Sequence, residues 1–247
     1  MFLFYSILGW IIECVDCSIE RKKFVHDRGF LIGTYCPIYG FGAMYMYLFL
    51  TRYYNEPITL FVMAVVGTSI IEYVTGYLME KIFNARWWDY SDMRFNLEGR
   101  VCLRNSLLFG LLGVLFVYVL NPIYMHIVRM IPSNVVVVLG IVLFCLFLVD
   151  CILSFSIVSK LKKNLLNLRK DVTSDIDSEV RQILSGYYFY FRKLFRSFPR
   201  VKFTFQAGER IVQSIHNTLD NFDTLRKERR KKLKELRKQL RLSRNKK

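Results

Sequence analysis

Five long apolar stretches alternate with short polar loops over the first two thirds of the chain. They run from Phe2 to Ser18, Cys36 to Tyr53, Ile58 to Glu80, Leu103 to Met125 and Asn134 to Ser159. A helix needs about 20 apolar residues to cross the hydrocarbon core of a membrane, and lipid offers no water to satisfy an open backbone. The pattern therefore predicts an all-α fold: a polytopic membrane helix bundle with about five transmembrane helices.

The pattern changes after residue 159, where polar and basic residues dominate. Residues 1–159 hold 11 Lys and Arg against 11 Asp and Glu, whereas residues 160–247 hold 25 against 9. The whole net charge of +16 therefore lies in the last third of the chain. We predict two parts, a transmembrane domain over residues 1–159 and a basic, helical, cytoplasmic tail over residues 160–247.

Basic residues in the loops predict how the bundle is oriented. The loops after the first and third predicted helices contain Arg21, Lys22, Lys23, Arg28, Lys81, Arg86, Arg94, Arg100 and Arg104. The loops after the second and fourth contain only Arg52 and Arg129. Because positively charged loops stay on the cytoplasmic side, we expect the N-terminus outside and the C-terminus in the cytoplasm.

Acidic residues inside the apolar stretches are the first candidates for function. Glu13, Glu72, Glu80 and Asp150 fall at membrane depth, where a charge needs a partner, a water-filled cavity or a function. Thr68, Glu72, Gly76 and Glu80 recur every four residues, so they share one helix face, and we expect that face to contact other helices. The expected partners of the carboxylates are Arg28, Arg86 and Arg100, because arginine binds carboxylates in a bidentate manner.

The loop RWWDYSDMRFNLEGR, from Arg86 to Arg100, combines aromatic and charged residues. Tryptophan and tyrosine rings are favoured at the headgroup level of a membrane, and the charged residues can pair with one another or with a ligand. We predict a cytoplasmic-side, substrate-binding or cavity-lining site made of Glu13, Arg28, Glu72, Glu80, Arg86, Trp87, Trp88, Asp89, Tyr90, Asn96 and Arg100. An aromatic anchor at the membrane surface, and ion pairs that only join helices, are the alternatives.

Three stretches carry a resemblance to a known family. They read RGFLIGTYCPIYGFG (Arg28 to Gly42), EYVTGYLMEKIFNARWWDYS (Glu72 to Ser91) and FNLEGRVCLRNSLLFG (Phe95 to Gly110). Together they resemble the bacterial membrane proteins described as putative ABC-transporter type IV, or CmpB-like, permeases, over most of residues 1 to about 113. The resemblance implies a permease subunit in a bacterial cell membrane. The chain contains no GxxxxGK[ST] phosphate-binding loop, so ATP-driven transport would need a separate ATPase subunit at the cytoplasmic face.

Two patterns in the tail predict partners. The segment YYFYFRKLFRSF, from Tyr187 to Phe198, mixes aromatic and basic residues, which favours a surface element attracted to anionic membrane lipid over one that binds nucleic acid. Farther on, Val212, Ile215, Leu219, Phe222, Arg226, Arg229, Leu233, Leu236 and Leu240 follow a three-four spacing. That spacing predicts either a coiled coil, which would join two copies into a homodimer, or a single amphipathic helix.

The sequence predicts no catalytic residue, no cofactor and no metal site. The CxxC of Cys14 and Cys17 lacks the second cysteine pair or the redox-protein context that such a motif needs. Carboxylates beside arginines at the inner surface still allow an enzyme or binding protein that acts on a lipid headgroup. A third possibility is a scaffold, in which the membrane part only anchors the basic tail.

Overall fold

The computed structural model describes residues 1–20, 22–168, 180–182, 184, 186–204 and 208–244. Its helices are α1 Phe2–Glu20, α2 Pro37–Tyr45, α3 Pro57–Phe83, α4 Leu103–Leu115, α5 Asn121–Arg129, α6 Ser133–Leu168, α7 Tyr188–Ser197 and α8 Gly208–Arg244. A π-helical turn, Met46–Leu50, and a 3₁₀ turn, Thr51–Tyr53, prolong α2, and a second π turn, Phe116–Leu120, joins α4 to α5. The all-α fold is confirmed.

Four helices are long and apolar enough to cross a membrane: Phe2–Ile19, Pro57–Phe83, Leu103–Arg129 and Ser133–Asn164. They correspond to four of the five predicted segments. The remaining segment, Cys36–Tyr53, forms a shorter helical run in pieces of 9, 5 and 3 residues, which begins at a proline suited to a first helical turn. Whether this run crosses the membrane, and which way the bundle is oriented, stay predictions.

One apolar core joins α1, α2, α3 and the region where α4 passes into α5. Its buried members are Tyr5, Ala43, Met46, Leu50, Leu60, Ala64, Phe116 and Val117. The backbones approach closely at Gly113, where an added Cβ would lie 2.6 Å from the Cβ of Ala64. A small residue at this point therefore lets α3 and α4 pack tightly, as membrane helices commonly do.

A second core forms where the tail meets the ends of α3 and α6. It contains Phe83, Ala85, Trp87, Val158, Leu161, Leu184, Phe191, Phe195, Ile211 and Ile215. Strand β4, Lys202–Phe203, pairs in antiparallel register with β1, Ala85–Arg86, so that Phe203 faces Ala85. A second short hairpin pairs β2, Asn96–Leu97, with β3, Val101–Cys102. The described part of the tail is thus packed against the membrane part, while the division of the chain at residue 160 stays a prediction.

The aromatic segment of the tail is partly buried in protein. Helix α7 buries Tyr190, Phe191, Leu194 and Phe195, each with at most 8% of its surface exposed, inside the second core. Tyr187 and Phe189 keep 44% and 67% of their surface exposed. Binding of anionic lipid by this segment therefore stays a prediction.

The predicted coiled-coil positions of α8 divide into two sets. Ile215 and Leu219 are buried, and Val212 packs against the second core, so this first part of the seam is used within the chain. Leu233 is 47% exposed, and the side chains of Leu236 and Leu240 lie outside the described residues. A homodimer through the distal half of α8 stays a prediction.

Candidate functional site

The first predicted pair, Glu13 and Arg28, links α1 to the loop between α1 and α2. Nη2 of Arg28 lies 2.7 Å from Oε2 of Glu13, and the hydroxyl of Tyr39 donates a 2.7 Å hydrogen bond to Oε1. Arg28 also donates to the carbonyl of Ser197 at the end of α7. Burial alone would lower the pKa of Arg28, but the hydrogen bond and charge of Glu13 raise it above its ordinary value. The guanidinium therefore stays charged.

Glu72 has a different partner from the expected arginine. It is only 4% exposed, and its Oε1 accepts a 3.2 Å hydrogen bond from the hydroxyl of Tyr90. Burial and the nearby carboxylate raise the pKa of Tyr90, so the phenol keeps the proton that it donates. Oε2 of Glu72 has no hydrogen-bond partner among the described residues. Buried polar atoms are seldom left unpaired, so this oxygen is a candidate contact for a ligand.

A cavity beside Glu72 lies among α1, α2, α3 and the α4–α5 junction. It offers about 60 Å³ of room for the centres of water-sized molecules. Its lining is mainly apolar, and it includes Glu72, Thr68, Tyr39 and Tyr5. The hydroxyl of Tyr5 is also buried without a partner in the described part of the chain. The cavity thus combines an apolar wall with two unsatisfied polar groups, as small-molecule sites do.

The two π turns of the bundle meet at this cavity. Met46 and Phe116, the first residues of the two turns, both contribute to its wall. A π turn inserts an extra residue into the helical repeat, and such turns often occur at functional sites. Neither turn could be predicted from the sequence, because both lie within uniformly apolar stretches.

A second polar group lies in the loop between α3 and α4. Oε2 of Glu80 lies 2.9 Å from Nη2 of Arg100 and 3.4 Å from Nε of Arg86. Arg86 also approaches Asp89, at 3.7 Å. The polar stripe of α3 therefore faces protein, as predicted, and the ion pairs of Glu80 with both arginines are present.

Asp89 and Asn96 hold the shape of this loop. The amide of Asn96 donates to the carbonyl of Met93 at 2.8 Å, and its oxygen accepts from the N–H of Gly99 at 3.0 Å. Asp89 accepts hydrogen bonds from the N–H and the hydroxyl of Ser91. Gly99 has a φ of +69°, which a residue with a side chain rarely adopts. These contacts account for both polar residues without a ligand.

The two tryptophans of the loop have different surroundings. Trp87 is 4% exposed, and its ring centroid lies 5.2 Å from that of Phe30 and 5.4 Å from that of Phe198. It is enclosed by protein, so it does not anchor the loop at the headgroup level. Trp88 donates a 3.0 Å hydrogen bond from Nε1 to the carbonyl of Arg100 and packs against Gly76, which fixes the loop on α3.

The predicted residues therefore form two groups rather than one. In the first group, Glu72 lines the cavity, Tyr90 bonds to Glu72, and Glu13, paired with Arg28, bonds to the cavity residue Tyr39. In the second group, Glu80, Arg86, Asp89 and Arg100 form the ion-pair network of the loop. Sequence reasoning missed Tyr39 and Tyr5, which line the cavity, because a tyrosine in an apolar helix gives no distinct signal. Within the described ranges, no group of three or more His, Cys, Asp or Glu side chains could hold a metal ion.

Asp89 leads to a prediction about pH. Burial would raise its pKa, but hydrogen bonds from Lys202, at 2.7 Å, and from Ser91 hold the pKa well below its usual range. A carboxyl group whose pKa is lower in the folded state stabilises the fold above its unfolded pKa and loses that contribution as the pH falls. Near neutral pH we expect wild type to have a higher melting temperature than Asp89→Asn. The difference between the two melting temperatures should shrink below a pH of about 4.

Thermal unfolding in detergent at a series of pH values would measure this difference. Asp92→Asn is the matched control, because Asp92 lies in the same loop but is exposed. A melting difference for Asp89→Asn that stays the same at every pH would contradict the prediction.

Comparison with known proteins locates the chain in a family. Residues 1–155 match the model of the family described as Putative ABC-transporter type IV. The match includes α1 to α5, most of α6 and every residue of the two polar groups, but not the tail. No curated protein and no solved structure matches the chain.

Proposed function

Since the chain belongs to the family described as putative ABC-transporter type IV, we propose that it is a membrane-embedded permease subunit. Its cavity would hold a small apolar solute that carries a cationic or hydrogen-bond-donating group. The unpaired Oε2 of Glu72, a residue that lines that cavity, is the observation that carries the proposal. The family membership supports the transport class, and the cavity supports the kind of solute.

The chemistry of the cavity favours this kind of solute. A buried carboxylate is costly unless a donor or a positive charge compensates it. Tyr90 satisfies only one oxygen of Glu72, and the second oxygen has no hydrogen-bond partner among the described residues. A solute with an amine or hydroxyl group would satisfy that oxygen, while its apolar part would contact the surrounding aliphatic and aromatic side chains.

Replacing Glu72 with glutamine tests this role. A hydrogen bond to a charged group contributes about 1.5–3 kcal/mol, so we expect roughly 10- to 100-fold weaker retention of the solute. Native mass spectrometry of the purified protein would measure the solute that stays bound. Glu56→Gln is the matched control, since Glu56 precedes the same helix and is exposed. Equal retention by both variants would contradict the proposal.

The permease role also requires a partner. The chain has no phosphate-binding loop, so a separate ATPase subunit would bind at the inner loops or the tail. Mild-detergent purification from the native cell, followed by mass spectrometry, tests this requirement. We expect an ATP-binding subunit in stoichiometric amount, whereas a complex without any such subunit would count against the transporter and favour a lipid-headgroup protein.

A further inference from the structure

The tail inserts one lysine into the loop between α1 and α2. Nζ of Lys193, on α7, lies 2.6 Å from the carbonyl oxygen of Leu31, 2.9 Å from that of Ile32 and 2.8 Å from that of Gly33. An ammonium group has three N–H donors and no acceptor. Each donor therefore has its own carbonyl, and the three successive oxygens converge on one point.

A carboxylate faces the opposite side of the same backbone. Asp150, on α6, accepts hydrogen bonds from the N–H of Ile32 at 3.0 Å and from the N–H of Gly33 at 2.7 Å. It also accepts from the hydroxyl of Tyr35. In a trans peptide the C=O and N–H bonds point in opposite directions. Two successive peptide units thus direct their N–H groups at Asp150 and their oxygens at Lys193.

This arrangement favours a cation at the three oxygens. The dipoles of the Leu31–Ile32 and Ile32–Gly33 peptide units are aligned between a negative and a positive group, so the charge of Asp150 polarises these two carbonyls toward Lys193. Rings of backbone carbonyls replace the hydration shell of potassium ions in channels. Divalent cations instead favour direct carboxylate ligands, and here the carboxylate of Asp150 lies behind the peptide units, bonded to their N–H groups.

We infer that the Leu31, Ile32 and Gly33 carbonyls form a cradle for a monovalent cation, and that Lys193 is a tethered cation that occupies it. A free K⁺ or NH₄⁺ ion can occupy this one place only when the side chain of Lys193 is absent from it. Release of Lys193 would also loosen α7 from the loop that carries Arg28, since Tyr190 and Ser197 bond to the backbone of the same loop. The inference is independent of the solute proposed for the cavity.

The cradle is tested by removing the tethered cation. Lys193→Ala leaves room for a free ion, and we expect its melting temperature in choline chloride to lie roughly 2–4 °C below that of wild type. Replacing choline with K⁺ or NH₄⁺ at constant ionic strength should recover at least half of that loss, and the recovery should saturate. Wild type should respond equally to all three salts, because its cradle is filled.

Lys162→Ala is the matched control, since Nζ of Lys162 donates to a single carbonyl, that of Ile82, at 2.8 Å. It should show no preference among the salts. Equal melting of Lys193→Ala in choline, K⁺ and NH₄⁺ would overturn the inference. Recovery only with propylammonium would overturn it too, because the alkyl stem would then supply the stabilisation. If Lys193→Ala does not fold, the melting temperature of Lys193→Met, which keeps the stem without the charge, is compared in the same three salts. Equal melting in all three would again overturn the inference.

Discussion

Replacing Phe195 with alanine is expected to lower the free energy of unfolding by about 3–5 kcal/mol, the usual cost of truncating a buried phenylalanine. Phe195 is 1% exposed and lies in the second core, which also contains Phe83, Ala85 and Trp87 from the membrane part. The tail and the α3–α4 loop therefore share one packed interior. Thermal unfolding of the purified protein in detergent would measure the loss.

Phe189 provides the matched control on the same helix. It is 67% exposed, and Cζ of Arg226 lies 4.9 Å from the centroid of its ring. Phe189→Ala should therefore cost much less than Phe195→Ala. Equal losses would mean that the tail does not stabilise the membrane part. That result would favour the scaffold model, in which the tail works on any membrane anchor.

Replacing Arg28 with methionine is the second substitution with a large expected effect. Removing one partner of a buried ion pair costs about 3–5 kcal/mol, because the other charge is left uncompensated. The side chains of Arg28 and Glu13 are 16% and 30% exposed, so we expect the lower end of that range. The variant also removes the donor to the carbonyl of Ser197. That hydrogen bond connects the loop between α1 and α2 to α7.

A double-mutant cycle with Glu13→Gln separates the ion pair from general packing. If the two side chains act as a pair, the double variant should be more stable than the sum of the single losses predicts, by about 0.5–3 kcal/mol. Chemical or thermal unfolding of the four proteins would give this coupling energy. Strictly additive losses would show that Arg28 acts through Ser197 or through packing, and not through Glu13.

Much of the membrane part could be predicted from the sequence because lipid leaves few alternatives. Four apolar stretches had the length and composition of spanning helices, and each is a helix in the structure. The spacing of four residues from Thr68 to Glu80 predicted a face in contact with protein, and Glu80 does pair with Arg86 and Arg100. These predictions depend on local periodicity and on the high cost of an unpaired charge in lipid.

The rest depends on contacts between distant parts of the chain. Tyr90 replaces an arginine as the partner of Glu72, and only the folded loop brings the two residues together across 18 positions. Trp87 could not be distinguished from an exposed anchor, because the rings that cover it include Phe30 and Phe198, which lie far from it in the sequence. Lys193 gave no signal at all: one lysine in a basic segment looks like its neighbours until the carbonyls of Leu31 to Gly33 surround it.

The pairing of β1 with β4 also constrains the order in which the protein can be made. The ion pair of Asp89 with Lys202 joins positions 113 residues apart, and α4, α5, α6 and α7 lie between them. A ribosome must therefore deliver these four helices before Phe198, which packs on Trp87, is available. During that interval the loop after α3 exposes an aromatic surface on which chaperones or proteases can act. A chain that ends before β4 would keep that surface exposed.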